Sequence, residues 1–174
     1  MDVYPSLAII LFIIIPEVIR LKYEELLEES TINDVYVIEN ADFKSKADGL
    51  INGNVIGINR NIRTSRKRTC ILAEELGHYH TTVGDIVGQT TDADRRQELR
   101  ARGWAYNRLI GLTGIVNSYK HGFRSLSDTA DYLDVTEEFL VEAIQYYRSK
   151  YGHFATIDNY VIHFEPAFGL FELV

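Results

Sequence analysis

Two adjacent glutamates and two histidines lie close together in the segment ILAEELGHYHTT, residues 71–82. In a helix, Glu74 and His78 are four residues apart and project to one side, with Glu75 close by. Carboxylates and imidazoles lose hydration when they are buried among apolar residues, so such a group normally has a metal, an ionic partner or a catalytic role. The sequence therefore places the candidate chemistry of the chain in this segment.

The spacing is that of the zincin helix, H-E-x-x-H, with one substitution. In that motif the first and fifth residues bind a metal, and the glutamate at the second position is the general base for an attacking water. The corresponding residues here are EELGH, 74–78, so a glutamate replaces the first histidine. We predict that Glu74 and His78 bind a metal and that Glu75 is the catalytic base.

The surrounding sequence resembles the ImmA/IrrE family of metallo-endopeptidases, in particular its phage and prophage members. The resemblance covers roughly residues 18–174, and its second motif is a downstream helix of the form E-x-x-A-x-x-x-A, matched here by Glu98, Ala101 and Ala105. In the family the acidic residue of that helix completes the metal site, which implies that Glu98 is the third ligand. The residues agree, because two small side chains on the same face as Glu98 would let this helix approach another closely.

The predicted ligand set contains one imidazole and two carboxylates, whereas catalytic zinc is often held by two histidines and one glutamate. The family resemblance implies one divalent metal, with zinc as the first expectation. An oxygen-rich set shifts the preference toward manganese or iron. His80 is a candidate for an additional ligand, and we expect no organic cofactor.

The resemblance implies an endopeptidase that acts on a helix-turn-helix transcriptional repressor, such as that of the same phage, and so relieves repression. Because the first histidine of the motif is missing, a second interpretation stays open: a catalytically inert relative that binds a repressor or another regulator without cleaving it. A third interpretation comes from residues 126–147, whose apolar spacing is that of a DNA-binding helix-turn-helix. Its second helix would place Glu137, Glu138 and Glu142 near phosphates, so we expect no direct nucleic-acid contact.

The elements that would position these residues follow from apolar periodicity and turn signals. Apolar spacing predicts a surface helix at residues 18–29 and a covered strand at 34–40, and Asn-Gly at 52–53 predicts a hairpin. The candidate helix is predicted at about 65–80 and the next from about residue 94. Further helices and a short hairpin around Asp158 and Asn159 follow. We predict an α+β fold, in which a small antiparallel, zincin-like sheet packs on a helical body, with C-terminal helices and a short C-terminal hairpin.

The composition is that of one ordinary globular domain, with 174 residues, 46% hydrophobic and 25% charged. A net charge of −7 argues against a broad nucleic-acid surface. The run of basic residues at 59–68 is interpreted as a solvated loop and first helical turn, with an anionic partner as the alternative. The single cysteine, Cys70, has no internal disulfide partner and is predicted to be buried. A cytoplasmic location fits best, and the oligomeric state is left open.

Residues 1–17 form an apolar extension that precedes the predicted domain at 18–174. Its run LAIILFIII, residues 7–15, is too short to cross a bilayer unaided, since a spanning helix needs roughly 20 residues. The alternatives are a membrane tether, a buried strand or helix docked on the domain, or an annotated start that lies upstream of the true one. We expect no association with a membrane.

Overall fold

A computed structural model describes residues 22–81 and 91–173 of the chain. The predictions for the apolar extension, residues 1–17, and for most of the loop after the candidate helix lie outside the described residues. Within the described ranges, no helix combines the length and hydropathy that are needed to cross a membrane.

The described chain runs from a helix through a first group of strands, then through successive helices to a second group of strands. The elements are α1 at residues 22–32, β1 Tyr36–Ala41, β2 Gly49–Asn52, β3 Val55–Asn59, α2 Ser65–Thr81, α3 Thr91–Leu109, α4 Gly111–Lys120, α5 Leu126–Leu133, α6 Glu137–Tyr151, β4 Phe154–Ile157, β5 Tyr160–His163 and β6 Gly169–Glu172. This order confirms the predicted α+β fold.

The first sheet has the strand order β1-β3-β2. Strands β2 and β3 form the predicted hairpin, and Gly53 takes the positive φ, +58°, that its tight turn requires. Strand β1, however, pairs with β3 in parallel, so the sheet is mixed and not wholly antiparallel as predicted. Residues 42–48 cross the end of the sheet, so β2 does not lie next to β1. Strand β3 then occupies the position between them, antiparallel to β2 and parallel to β1.

Strand β1 lies at the edge of this sheet, and among the described strands it pairs with β3 alone. The side chains of Tyr36 and Ile38 are 67% and 52% exposed, so the prediction that this strand is covered on both sides is wrong. Apolar residues on both faces indicate a buried strand only when layers pack on both sides. Here the helices cover one face.

Helix α2 is the central helix of the fold, and it begins where its sequence predicts. The Thr64 hydroxyl accepts a hydrogen bond from the backbone N–H of Lys67, 3.3 Å away, and so caps the first turn. Further along the helix, Leu72 and Leu76 are fully buried. Cys70 is buried as predicted.

The C-terminal part contains the two predicted helices α5 and α6, and side chains cap both. Ser125 and Thr136 accept hydrogen bonds from backbone N–H groups in the first turns of these helices. The predicted hairpin is present as β4 and β5, and Asp158 takes a positive φ of +50° in its turn. Strand β6 adds a third antiparallel strand that the sequence analysis did not predict.

Candidate metal centre

Helices α2 and α3 touch through their backbones where α2 carries Gly77. A Cβ atom added to Gly77 would lie 2.2 Å from the carbonyl oxygen of Ala101. Ala101 and Ala105 are both fully buried, as the predicted close-packed face requires. This contact lies one residue before His78 and three residues after Glu98, so it positions the two side chains opposite each other.

The side chains of His78 and Glu98 meet across this helix contact. The Nε2 atom of His78 lies 3.3 Å from the Oε2 atom of Glu98, and the two side chains are 26% and 45% exposed. The sequence analysis required this meeting of α2 and α3, and the structure provides it. Two partly exposed side chains that could bind a metal therefore lie together at the predicted position.

Glu74 points away from this pair into a neighbouring cavity. The cavity has a volume of about 240 Å³, and its lining includes Lys67, Arg102, Glu138 and Glu142. Among the residues that the structure describes, no group of three or more His, Cys, Asp or Glu side chains is close enough to hold a metal ion. As placed, Glu74 therefore does not join the other two predicted ligands.

Glu75 lies under the edge strand β2. A Cβ added to Gly49 would lie 2.6 Å from Oε1 of Glu75, so the strand passes directly over the carboxyl group. The backbone N–H of Ile51 donates a hydrogen bond to this carboxylate. In the β2–β3 ladder, Ile51 faces Ile56 in a pair next to the turn-closing pair, so its N–H points to the open edge of the sheet. Glu75 therefore lies between helix α2 and the edge of β2 that pairs with no other strand among the described residues.

Burial raises the pKa values of both glutamates of the motif. The pKa of Glu74 rises to about 7, first because it is desolvated and then because Glu142 and Glu98 are close, although Arg102 and Lys67 oppose the rise. The pKa of Glu75 also rises to about 7, through desolvation and the negative charges of Glu74 and Glu98. Glu74 and Glu75 therefore stay protonated to a higher pH than exposed glutamates, chiefly because burial disfavours their charged forms.

The raised pKa of Glu74 predicts how the stability of the metal-free protein depends on pH. Between about pH 4.5 and 7, Glu74 is ionised in the unfolded chain and protonated in the folded one, so the folded state binds more protons. The free energy of unfolding therefore falls as the pH rises through this window, and this contribution is constant above it. One pKa unit corresponds to about 1.4 kcal/mol, so the loss from this group is at most about 3 kcal/mol.

Urea denaturation of the metal-free protein at pH 5 and pH 8 measures this difference. The Glu74→Gln variant should lose less stability between the two pH values than the parent, because it lacks the titrating group. Glu28→Gln, at an exposed position of α1, is the matched control and should behave like the parent. An equal pH dependence in the parent and in Glu74→Gln would contradict the raised pKa of Glu74.

His80 lies apart from the pair formed by His78 and Glu98. Its Nε2 atom is 3.2 Å from Oε1 of Glu29 on α1, and its ring packs on Trp104 with 4.9 Å between ring centroids. A residue two positions from His78 in a helix projects to a different side. The structure therefore does not bring the candidate additional ligand to the site.

Arg102 is a residue beside the predicted ligands that the sequence analysis missed. Its Nε atom donates to Oε1 of Glu98 at 2.6 Å, and its Nη1 lies 3.7 Å from Glu142, which also accepts a hydrogen bond from the Tyr106 hydroxyl at 3.0 Å. A signal was available, because an arginine four residues after a glutamate on a helix commonly pairs with it. Glu142 lies far along the chain, and no local pattern indicated it.

The residues present fit a divalent cation in their chemistry. Metal–ligand bonds of about 2.0–2.2 Å in tetrahedral geometry separate two ligand atoms by roughly 3.3–3.5 Å. The distance from His78 Nε2 to Glu98 Oε2 is 3.3 Å. Glu74 is one helical turn from His78. It could reach the cation as a third ligand if its side-chain torsions changed. Two donors therefore have the separation that a bound cation requires.

Comparison with known proteins gives one family match. A family model described as Peptidase_M78, IrrE N-terminal-like domain, matches residues 32–145, which is about two-thirds of the chain. This range contains β1 to α5 and most of α6, and it includes all of the predicted site residues. No curated protein and no solved structure matches the chain significantly.

Proposed function

The chain belongs to the IrrE N-terminal-like family of M78 peptidases, and from this premise we propose that it is a metal-dependent endopeptidase. The observation that supports the proposal is the His78–Glu98 pair, 3.3 Å apart on two packed helices, with the half-buried carboxyl of Glu75 three residues before His78 on α2. His78 and Glu98 would hold the metal, with Glu74 as the third protein ligand. Zinc is the first candidate, and the carboxylate-rich set also suits manganese or iron.

A divalent cation at this position would supply positive charge that activates a water and stabilises the negative charge that develops on a peptide carbonyl. The ionised carboxylate of Glu75 would accept a proton from the attacking water and return it to the leaving amine. A general base is most effective when its pKa lies near the working pH. In the metal-free protein burial raises the pKa of Glu75 to about 7, and a bound cation would lower it from there. The N–H of Ile51 orients the carboxylate for this transfer.

The open edge of β2 is the surface on which a peptide substrate would lie. Its outward N–H and C=O groups can pair with an extended chain, which would run past Glu75. We propose that this chain is a segment of a helix-turn-helix transcriptional repressor, as the ImmA/IrrE resemblance implies, and that its cleavage relieves repression. The net charge of −7 suits a partner with a basic surface.

A second candidate function is a catalytically inert domain that binds a repressor without cleaving it. Two observations favour it: Glu74 replaces the first histidine of the motif, and Arg102 already pairs with Glu98 at 2.6 Å. In this case Arg102 would supply part of the positive charge that a metal would otherwise bring to these carboxylates. Metal content separates the two candidates.

Zinc titration of the purified, metal-free chain tests the proposal. We expect about one equivalent to bind and the His78→Ala variant to bind at least about 100-fold more weakly, because a ligand is lost. His153→Ala is the control, since that side chain is 78% exposed and pairs with Glu165 elsewhere in the fold. Elemental analysis of protein as purified then identifies the metal that it carries. A parent chain that takes up no metal in a His78-dependent way would support the inert candidate instead.

A further inference from the structure

The two carboxylate oxygens of Glu98 have different partners. Oε2 lies 3.3 Å from the imidazole of His78, and Oε1 accepts the Nε–H of Arg102 at 2.6 Å. The second contact is the shorter and is a charge-assisted hydrogen bond, which is the stronger kind. Arg102 therefore holds the oxygen of a predicted metal ligand that faces away from His78, which leaves Oε2 as the oxygen available to a cation.

Arg102 also interacts electrostatically with Glu142 and Glu74. Its Nη1 atom lies 3.7 Å from Glu142 on α6, and its charge lowers the pKa of Glu74, which faces the same cavity. A guanidinium has five N–H donors in a rigid fork, so it can exchange one carboxylate for another. Glu142 thus offers Arg102 a second position close to the first.

We infer that Arg102 competes with the metal for the negative charge of Glu98, so that a divalent cation binds more weakly than it would without this guanidinium. The inference rests on the proposed function. Two effects of the arginine act against metal binding: its hydrogen bond partly neutralises the charge of Glu98, and its positive charge repels a second cation. One effect acts in favour, because the same hydrogen bond orients Glu98.

The unfavourable effects should dominate. An ion pair between residues four apart on a helix surface orients its side chains only weakly. Both Arg102 and Glu98 are almost half exposed, at 43% and 45%, so this pair orients Glu98 little. His78 and the close packing at Gly77 also constrain the position of Glu98 independently of Arg102. Repulsion between the guanidinium and a divalent ion, by contrast, does not depend on this hydrogen bond and acts whenever the metal is present.

Competition titrations with a chromophoric zinc chelator test this inference on the full chain, with zinc as the only added metal. Arg102→Gln removes the charge, and we expect it to bind zinc about 10-fold more tightly than the parent. Arg102→Lys keeps the charge and should stay within about 3-fold of the parent. Arg100→Gln removes an exposed positive charge from the same helix and should leave the affinity unchanged. Circular dichroism spectra establish that each variant is folded.

The outcomes separate this inference from the proposed function. If the parent binds zinc through His78 and Arg102→Gln binds it no more tightly, the competition is refuted while the metal site stands. If Arg102→Gln binds and the parent does not, the competition is supported and the parent is the inert candidate. The tighter binding must disappear in the His78→Ala, Arg102→Gln double variant. Absence of His78-dependent binding in both the parent and Arg102→Gln overturns the two proposals together.

Discussion

Replacement of Gly77 by alanine is expected to lower the free energy of unfolding by about 3 kcal/mol and to remove metal binding. The new Cβ would lie 2.2 Å from the carbonyl oxygen of Ala101, far inside van der Waals contact. Overpacking usually costs about 1–3 kcal/mol, and here the obstacle is backbone, which no change of rotamer relieves. Helices α2 and α3 must therefore separate, and His78 and Glu98 separate with them.

The gain in helix propensity works in the other direction but is smaller, since alanine is better than glycine by about 1 kcal/mol in a helix interior. Gly114→Ala is the matched control. A Cβ there would meet the flexible Cδ2 of Leu133 at 3.0 Å, so this substitution should change stability by less than about 1 kcal/mol. Urea denaturation and zinc titration of both variants provide the measurement. Equal stability of the two variants would mean that the close contact of α2 and α3 does not hold the site together.

Glu75→Gln is expected to reduce peptide cleavage by about 10²–10⁴-fold, the usual contribution of a general base. Glutamine has nearly the same shape and keeps an oxygen that accepts the N–H of Ile51, so the fold and the position of β2 should be retained. It cannot take a proton from water. Since Glu75 is not a predicted ligand, the zinc affinity should change by less than about 3-fold.

The measurement is the rate at which a purified helix-turn-helix repressor, tested as the proposed substrate, is cleaved in a time course with the zinc-loaded protein. Glu28→Gln, at an exposed position of α1, is the control and should cleave like the parent. Equal rates for the parent and Glu75→Gln would show that Glu75 is not the base. Stable association of an uncut repressor with the parent would instead identify the inert candidate.

Local patterns in the sequence determined most of the helical framework. The approximate bounds of α2, the hairpin turn at Gly53 and the small face formed by Ala101 and Ala105 were all predicted. These features depend on residues within a few positions of each other, because helix period and turn conformation are properties of the local backbone. The parallel pairing of β1 and the third C-terminal strand depend on distant segments, and neither was predicted.

The candidate site divides in the same way. The sequence by itself determined that His78 and Glu75 stand on one buried helix and, through the resemblance of the second motif, that Glu98 would face them. Only the tertiary structure decided that Glu74 turns into a cavity between α2 and α6, that Arg102 takes one oxygen of Glu98, and that His80 pairs with Glu29. The physical reason is that a buried charged side chain takes its direction from the partners and the desolvation around it, and those are set by elements that meet only in the folded chain.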